Sequence, residues 1–265
     1  SEYGLDDVGE LIDTFLNNNG VNTSSVHRFE DGATSLALAF LDEKNDAHYT
    51  FYKDFPGKRL DIEFPKLQGD DILQYGSFYA IWPEIRVKIK KFIQSAHENG
   101  AMVVYDPNFR KSHLSELGSL KPLIIENMRM SGLIRGSDED FLNIFRVNSA
   151  DEAWEVVKNY CNCLVYTSNT DGVYVMTNSF SGKFPVKSIT PVSTIGAGDN
   201  FNAGMITSIY RNSISKKQLE TMGLKEWTNV IETAVDFATH VCLSYENYIS
   251  EEFASRYFSA SSDHI

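Results

Sequence analysis

From residue 72 onward, short apolar runs and amphipathic helical patterns take turns along the chain. That alternation constrains the fold more than any other feature. ILQYGSFYAI (72–81) reads as a strand, and PEIRVKIKKFIQSAHEN (83–99) as an amphipathic helix ended by Gly100. AMVVYD (101–106) reads as a buried strand that breaks at Asp106-Pro107-Asn108. A helix over 120–128 leads to the strand GLIRG (132–136), and helical stretches follow at 137–145 and 151–161. CLVYTS (163–168) and GVYVMT (172–177) are strands joined by NTDG, with a further short strand expected at 186–189. The segment STIGAGDNFNAG (193–204) then opens a helix with Phe201, Met205 and Ile209 on one face. A last long helix is expected over 225–246. The pattern predicts an α/β fold, a mostly parallel central sheet flanked by helices.

The front of the chain differs. DDVGELIDTFLNNN carries Val8, Leu11, Ile12, Phe15 and Leu16 at helical spacing and stops at Gly20. TSLALAFL (34–41) and AHYTFYKDF (47–55) flank the polar turn DEKND and read as a hairpin closed by Pro56-Gly57. No repeat or low-complexity linker divides the chain. It is therefore expected to form one α/β domain from 1–29 and 57–265, with 30–56 as a small β element.

Charge narrows the partners. The net charge is −12, from 36 acidic and 24 basic residues, which argues against nucleic acid. A single nucleotide remains open, because backbone N–H groups, a helix N-terminus and a metal ion can hold one. No apolar run approaches the roughly 18 residues of a membrane span. SEYGLDDVGELIDTF has neither the basic start nor the apolar stretch of a signal peptide. Three cysteines, Cys161, Cys163 and Cys242, are too few for a disulfide framework and point to a reducing, cytoplasmic setting. Cys161-x-Cys163 has no second pair at zinc spacing, and the histidines form no His-x-x-x-His pair.

The chain has no Gly-x-x-x-x-Gly-Lys-[Ser/Thr] loop, no full dinucleotide fingerprint and no Gly-x-Ser-x-Gly elbow. GAGD (196–199) is different. Gly196 and Gly198 let the backbone turn sharply and approach a ligand, and the free N–H groups of the following helix point into that turn. With the helix dipole they stabilise negative charge. The same dipole is expected to keep Asp199 ionised, so it can take a proton from an attacking hydroxyl. Donors for a moving phosphoryl group beside a base are the minimum apparatus of a kinase. Gly and Asp also start ordinary helices, so local physics alone leaves both readings open.

STIGAGDNFNAG closely resembles the C-terminal signature of the ribokinase-like (PfkB) carbohydrate kinases, Asp-Thr-x-Gly-Ala-Gly-Asp-x-Phe-x-x-Gly. Thr194, Gly196, Ala197, Gly198, Asp199, Phe201 and Gly204 all match. DPNFR (106–110) resembles the family's Asp-x-Asn-x-Arg segment beside the sugar and transferred phosphate. RGSDEDF (135–141) resembles the acidic motif linked to magnesium, and TSNTDG (167–172) the Thr-x-Gly-x-x-Gly nucleotide loop. Within the family the chain is most similar to bacterial fructokinases.

The resemblance implies ATP and Mg2+ as cofactors, with Asp199 as catalytic base and the amides of Gly196, Ala197 and Gly198 as anion hole. It implies substrate contacts from Asp106, Asn108 and Arg110, and nucleotide contacts from Thr167, Asn169, Gly172 and Thr194. Magnesium would be served through water by Glu139 or Asp140, although Ser137-x-x-Asp140 is equally a capping box. The hairpin would belong to a β lid over the sugar and could pair with another copy, giving a homodimer. The implied activity is transfer of phosphate from ATP to a sugar hydroxyl, with fructose favoured. Another sugar or a nucleoside as acceptor, or a non-catalytic binder on the same scaffold, are the alternatives.

The chain departs from the pattern in three places. Ser193 replaces the signature's first acid, which weakens the case for a monovalent cation. Asn169 stands where the nucleotide loop has glycine, and asparagine tolerates the left-handed backbone such a turn needs. Relatives of this kind open with a strand, an acidic sugar-binding residue and a Gly-Gly segment, whereas this sequence starts beyond them. A chain truly lacking that strand is expected to fold poorly and show little activity.

Overall fold

The computed structural model describes residues 1–41 and 47–258. It begins with β1 (Glu2–Gly4), α1 (Asp7–Asn18) and β2 (His27–Phe29), followed by β3 (Ala33–Leu41) and β4 (Ala47–Asp54). β1 and β2 pair in parallel as a sheet of their own. β3 and β4 form the antiparallel hairpin that the sequence suggests. The expected DEKND turn lies outside the described residues.

Asp6 joins these pieces. Its carboxylate caps α1 by accepting from Gly9 N–H at 2.8 Å, and it also accepts from Thr34 N–H and Thr34 Oγ1 at 2.7 Å each. Those bonds, the Thr34 pair first, hold its pKa below the usual aspartate value. Among the described residues the hairpin forms no ladder with the central sheet.

The α/β body follows in chain order: β5 (Ile72–Gly76), α2 (Pro83–Glu98), β6 (Met102–Asp106), α3 (Leu117–Arg129) and β7 (Leu133–Ser137). Next come α4 (Asp138–Phe145), α5 (Ala150–Val157), β8 (Cys163–Ser168), β9 (Gly172–Thr177) and β10 (Ser181–Phe184). The chain continues through α6 (Ala197–Arg211), α7 (Lys216–Leu219), α8 (Leu224–Cys242) and α9 (Glu251–Phe258). The strands form one six-stranded sheet in the order β10-β9-β8-β7-β6-β5. β5 to β8 run parallel because helices carry the chain back between them. β9 and β10 run antiparallel because only short turns connect them.

Helices cover both faces. Cys163 and Val165 of β8 pack with Phe201, Met205 and Ile209 of α6 and with Trp227, Val230 and Ala234 of α8. Leu164 and Tyr166, their neighbours in sequence, pack on the opposite face with Ile124 and Met128 of α3 and Phe141 of α4. Strand periodicity of two therefore feeds two cores, which is why these runs are apolar throughout. Gly204 sets the approach of α6 to α8, since a Cβ there would lie 2.8 Å from Thr233 O and 2.9 Å from Ala234 Cα.

Several boundaries differ from the sequence reading. The strand expected over 72–81 ends at Gly76, where the chain presses so closely on Asp106 that a Cβ would meet its carbonyl at 1.8 Å. Ser77 (φ +58°) then turns the chain into a 3-10 turn over Phe78–Ile81. The strand expected at 186–189 is absent, and Ser181–Phe184 pairs with β9 instead. The tight turn after Thr177 brings those four residues back first. α5 ends at Val157, short of Cys161, and α8 ends at Cys242, short of 246. α9 follows, with Ser250 Oγ accepting from Phe253 N–H at 3.1 Å, a capping signal the sequence reading passed over.

Candidate functional site

Three parallel strands end side by side, and their last residues carry polar groups out of an otherwise apolar sheet. Asp106 closes β6, Arg135 to Ser137 close β7, and Thr167 lies near the end of β8. The carboxyl ends of parallel strands are where α/β sheets leave a crevice for ligands. The start of α6 meets this edge, because Asn202 Nδ2 donates to Asp106 Oδ2 at 2.7 Å.

Gly196 takes the left-handed conformation (φ +79°) that turns the chain into α6. A Cβ there would stand 3.0 Å from both Asn247 Cβ and Asn247 O, so the loop after α8 also requires glycine. Asn200 Nδ2 fastens the two segments by donating to Gly196 O at 3.0 Å and Asn247 O at 2.8 Å. Ala197 N–H donates to Thr194 O at 3.2 Å and is thereby occupied. Among the described residues, the N–H groups of Gly198 and Asp199 meet no acceptor. An anion placed there would meet Gly198 and Asp199 donors and not that of Ala197.

Asp199 sits in the first turn of α6, accessible to solvent at the cleft. Its pKa is raised above the ordinary aspartate value, by partial desolvation first and then by the charge of Asp106. Arg110 and Arg135 oppose the rise. The helix dipole expected to favour the ionised carboxyl thus acts against its immediate surroundings, which push the other way.

Asp106 is buried and fully engaged. Oδ1 accepts from Asn108 N–H at 3.0 Å, while Oδ2 accepts from Arg135 Nη1 at 3.0 Å and from Asn202. Asn108 holds a left-handed backbone (φ +39°) that swings the chain out of β6. Arg110 is exposed and its side chain makes no hydrogen bond among the described residues, and its charge acts on Asp199.

The acidic motif divides its work. Asp140 is buried, with Oδ1 accepting from Phe109 N–H at 2.6 Å and Oδ2 from Ser137 N–H at 2.8 Å and Ser137 Oγ at 2.7 Å. It completes the capping box of α4 and ties that helix to the 106–110 turn. Burial, then the charge of Asp106, raises its carboxyl. Glu139 is half exposed and pairs with Lys111 at 3.3 Å, while Asp138 accepts from Ser168 Oγ at 3.0 Å. Among the described residues no group of three or more His, Cys, Asp or Glu is placed to cage a metal ion. All three cysteines are free and buried.

Around the second loop, Thr167 Oγ1 accepts from Arg135 Nη2 at 2.9 Å. Asn169 takes φ +36°, the left-handed turn its side chain tolerates. Gly172 takes φ +126°, and a Cβ there would lie 2.6 Å from Phe184 O, so this glycine serves the β9–β10 pairing. Thr194 is exposed on the approach to Gly196. Ser193 is buried, and its Oγ accepts from Ile195 N–H at 3.2 Å, holding the turn from inside.

Arg135 and Asn202 were missed in the sequence. Arg135 had a signal, a guanidinium inside the apolar strand Leu133-Ile134-Arg135-Gly136, where a charge persists only with a buried partner. Asn202 had none, because one amide in a helix marks nothing until its partner is known.

The model described as pfkB family carbohydrate kinase matches residues 2–244. The chain is 25% identical over 218 residues to the probable fructokinase-5 of Arabidopsis thaliana, covering 78% of this chain and 66% of that protein. It is 26% identical over 227 residues to the probable fructokinase-6, chloroplastic, of the same plant, covering 83% and 59%. The chain thus spans less than two thirds of the length of these relatives. Among solved structures, the fructokinase from Vibrio cholerae bound to fructose, ADP and calcium ion matches with a TM-score of 0.81 at 19% identity, covering 97% of this chain and 83% of that one. The aminoimidazole riboside kinase from Salmonella enterica, with aminoimidazole riboside and an ATP analog, matches with a TM-score of 0.77 at 16% identity, covering 97% and 84%. At these identities the structures establish a shared fold.

Proposed function

The chain belongs to the pfkB family of carbohydrate kinases, and we propose that it transfers the terminal phosphoryl group of ATP to a sugar hydroxyl. One observation carries the reading: free N–H donors of Gly198 and Asp199 and the Asp199 carboxylate share the first turn of α6, facing the ends of β6 to β8. An acceptor hydroxyl beside Asp199 gives its proton to the carboxylate while its oxygen bonds to the terminal phosphorus. The bond from that phosphorus to the bridging oxygen breaks, and ADP leaves. The loop donors meet the negative charge that spreads over the phosphoryl oxygens. Arg110, exposed and with no side-chain hydrogen bond among the described residues, supplies a guanidinium suited to phosphate.

Thr167, Asn169 and Thr194 are assigned to the nucleotide, with Gly172 shaping the loop of the first two. Asp106 and Asn108 are assigned to holding the sugar end. A magnesium ion would neutralise phosphate charge, and the donor set fits an ion that arrives with the nucleotide. Glu139 is the accessible carboxylate to reach its water shell, since both oxygens of Asp140 already accept hydrogen bonds. The hairpin of β3 and β4 is assigned as a lid and as the surface that pairs two copies. The free, buried cysteines fit a cytoplasmic setting, and no helix among the described residues is long and apolar enough to cross a membrane.

Fructose is the favoured acceptor, from the relatives named fructokinase. A nucleoside acceptor is the second reading, favoured by the equally well covered riboside kinase fold. An ADP-release screen over fructose, other hexoses, ribose and nucleosides separates the two. Fructose-dependent ADP release that Asp199→Asn abolishes supports the reading, and ADP release unchanged by that substitution rejects Asp199 as the base.

A further inference from the structure

Arg135 stands between the ends of β6 and β8, bonded to both. Its guanidinium is buried, with Nη1 donating to Asp106 Oδ2 at 3.0 Å and Nη2 to Thr167 Oγ1 at 2.9 Å. These two anchors belong to β6 and β8, the strands on either side of its own. The same plane lies 5.3 Å over the Phe201 ring of α6. Gly198 of the same helix also lies against it, since a Cβ there would fall 3.2 Å from Nη1 and 3.7 Å from Nη2. One rigid cation therefore touches three strands and the glycine turn at once.

We infer that Arg135 is the positioning residue of this site: held by Asp106 and Thr167, it seats the Gly198 turn and sets where the loop donors and Asp199 face the phosphoryl group. The inference rests on the kinase reading above and adds to it a residue outside the turn. A planar fork suits the task better than an ammonium, because two fixed donors specify orientation as well as charge. The absence of a side chain at Gly198 then has a second cause beside backbone freedom, since it lets the guanidinium come against the turn. Arg135 does not touch the reacting atoms in this arrangement. It acts through Asp199 and the loop.

The charged groups that act on Asp199 are Asp106 at the end of β6, Arg110 in the following turn and Arg135 on β7. Asp106 raises the Asp199 carboxyl, while the two arginines lower it. Removing Arg135 loses one lowering charge and also leaves Asp106 less neutralised, so both changes move the Asp199 midpoint upward. A base works only when ionised, so the acidic limb of turnover must move to higher pH with it.

The test compares wild type, Arg135→Gln, Arg135→Lys and Thr167→Val. The readouts are turnover against pH with ATP and the accepted sugar, and the carboxyl NMR titration of Asp199 in ligand-free protein, assigned by its loss in Asp199→Asn. Arg135→Gln should lower turnover roughly 10- to 100-fold, as small misplacements of reacting groups do, and should raise both midpoints. Arg135→Lys should keep the midpoints near wild type and recover part of the turnover. Thr167→Val should lower turnover with the midpoints unmoved, because it frees the fork without removing its charge. Unchanged midpoints in Arg135→Gln, in protein that melts as wild type, overturn the inference, as does wild-type turnover in that variant. A wild type that phosphorylates no sugar while the NMR midpoint still rises in Arg135→Gln rejects the kinase reading and leaves the placement of Arg135 standing.

Discussion

Asp106 and Asn202 lie 96 positions apart in the chain and meet through a buried hydrogen bond of 2.7 Å. That contact brings the end of β6 to the start of α6, so the two motif segments that stand farthest apart in function's service become one site. Its energetics lead to the first prediction.

Replacing Asp106 with Ala leaves Arg135 buried without its carboxylate and Asn202 without its acceptor. Loss of one partner from a buried ion pair costs about 3–5 kcal/mol. Urea unfolding should show that loss for Asp106→Ala. The double variant Asp106→Ala with Arg135→Met should regain much of it, because no stranded charge remains.

Gly204 and Gly118 should respond oppositely to alanine. At Gly204 the new methyl meets Thr233 O and Ala234 Cα inside 3.0 Å, so α6 and α8 must separate. Overpacking of this kind costs about 1–3 kcal/mol. At Gly118, in the first turn of α3, nothing lies within 4 Å of the added carbon. Gly118→Ala should stabilise the protein by about 0.4–1 kcal/mol through the unfolded chain. Melting temperatures of the two variants should fall on either side of wild type.

Asp199 is predicted to cost stability in return for its chemistry. Its carboxyl is raised, so the folded protein holds the proton more tightly than the unfolded chain does. The associated stabilisation is complete at acidic pH and is lost as pH rises through the folded-state midpoint. Asp199→Asn carries no such charge, so it should melt at or above wild type at neutral pH. The gap should close below about pH 4, where the unfolded carboxyl is also protonated. Turnover of the same variant should fall about 100- to 10,000-fold, the usual contribution of a general base.

The hairpin should decide oligomeric state. Leu36, Leu38 and Phe40 recur on one face of β3 and are 39%, 44% and 58% exposed. A two-stranded ribbon with such a face gains from a partner. Leu38→Lys should convert a dimer to a monomer in sedimentation velocity, and a wild type that sediments as a monomer rejects the pairing.

How much of this was legible in the chain depends on distance along it. The α1 helix, the β3–β4 hairpin and the β5 to β9 alternation follow from hydrophobic periods of 3.6 and 2, which are local properties. So does the start of α6, where two glycines and an acid mark a turn without any partner being known. The end of β5 at Gly76 was not legible, because the strand ends where Ser77, hydrogen-bonded to Asp106 O, takes a left-handed φ of +58°. The β10 assignment failed for the same reason, since 181–184 becomes a strand through its ladder to β9.

The sequence by itself determined the fold class and the chemistry of one turn, because both arise from neighbours a few residues apart. Tertiary structure alone decided that Asp140 Oδ1 accepts from Phe109 N–H and that Arg135 lies against Gly198. Each of these depends on which acceptor or charge the packed sheet brings within about 3 Å. Hydrogen bonds and buried charges act over that range, and no reading of spacing along the chain contains it.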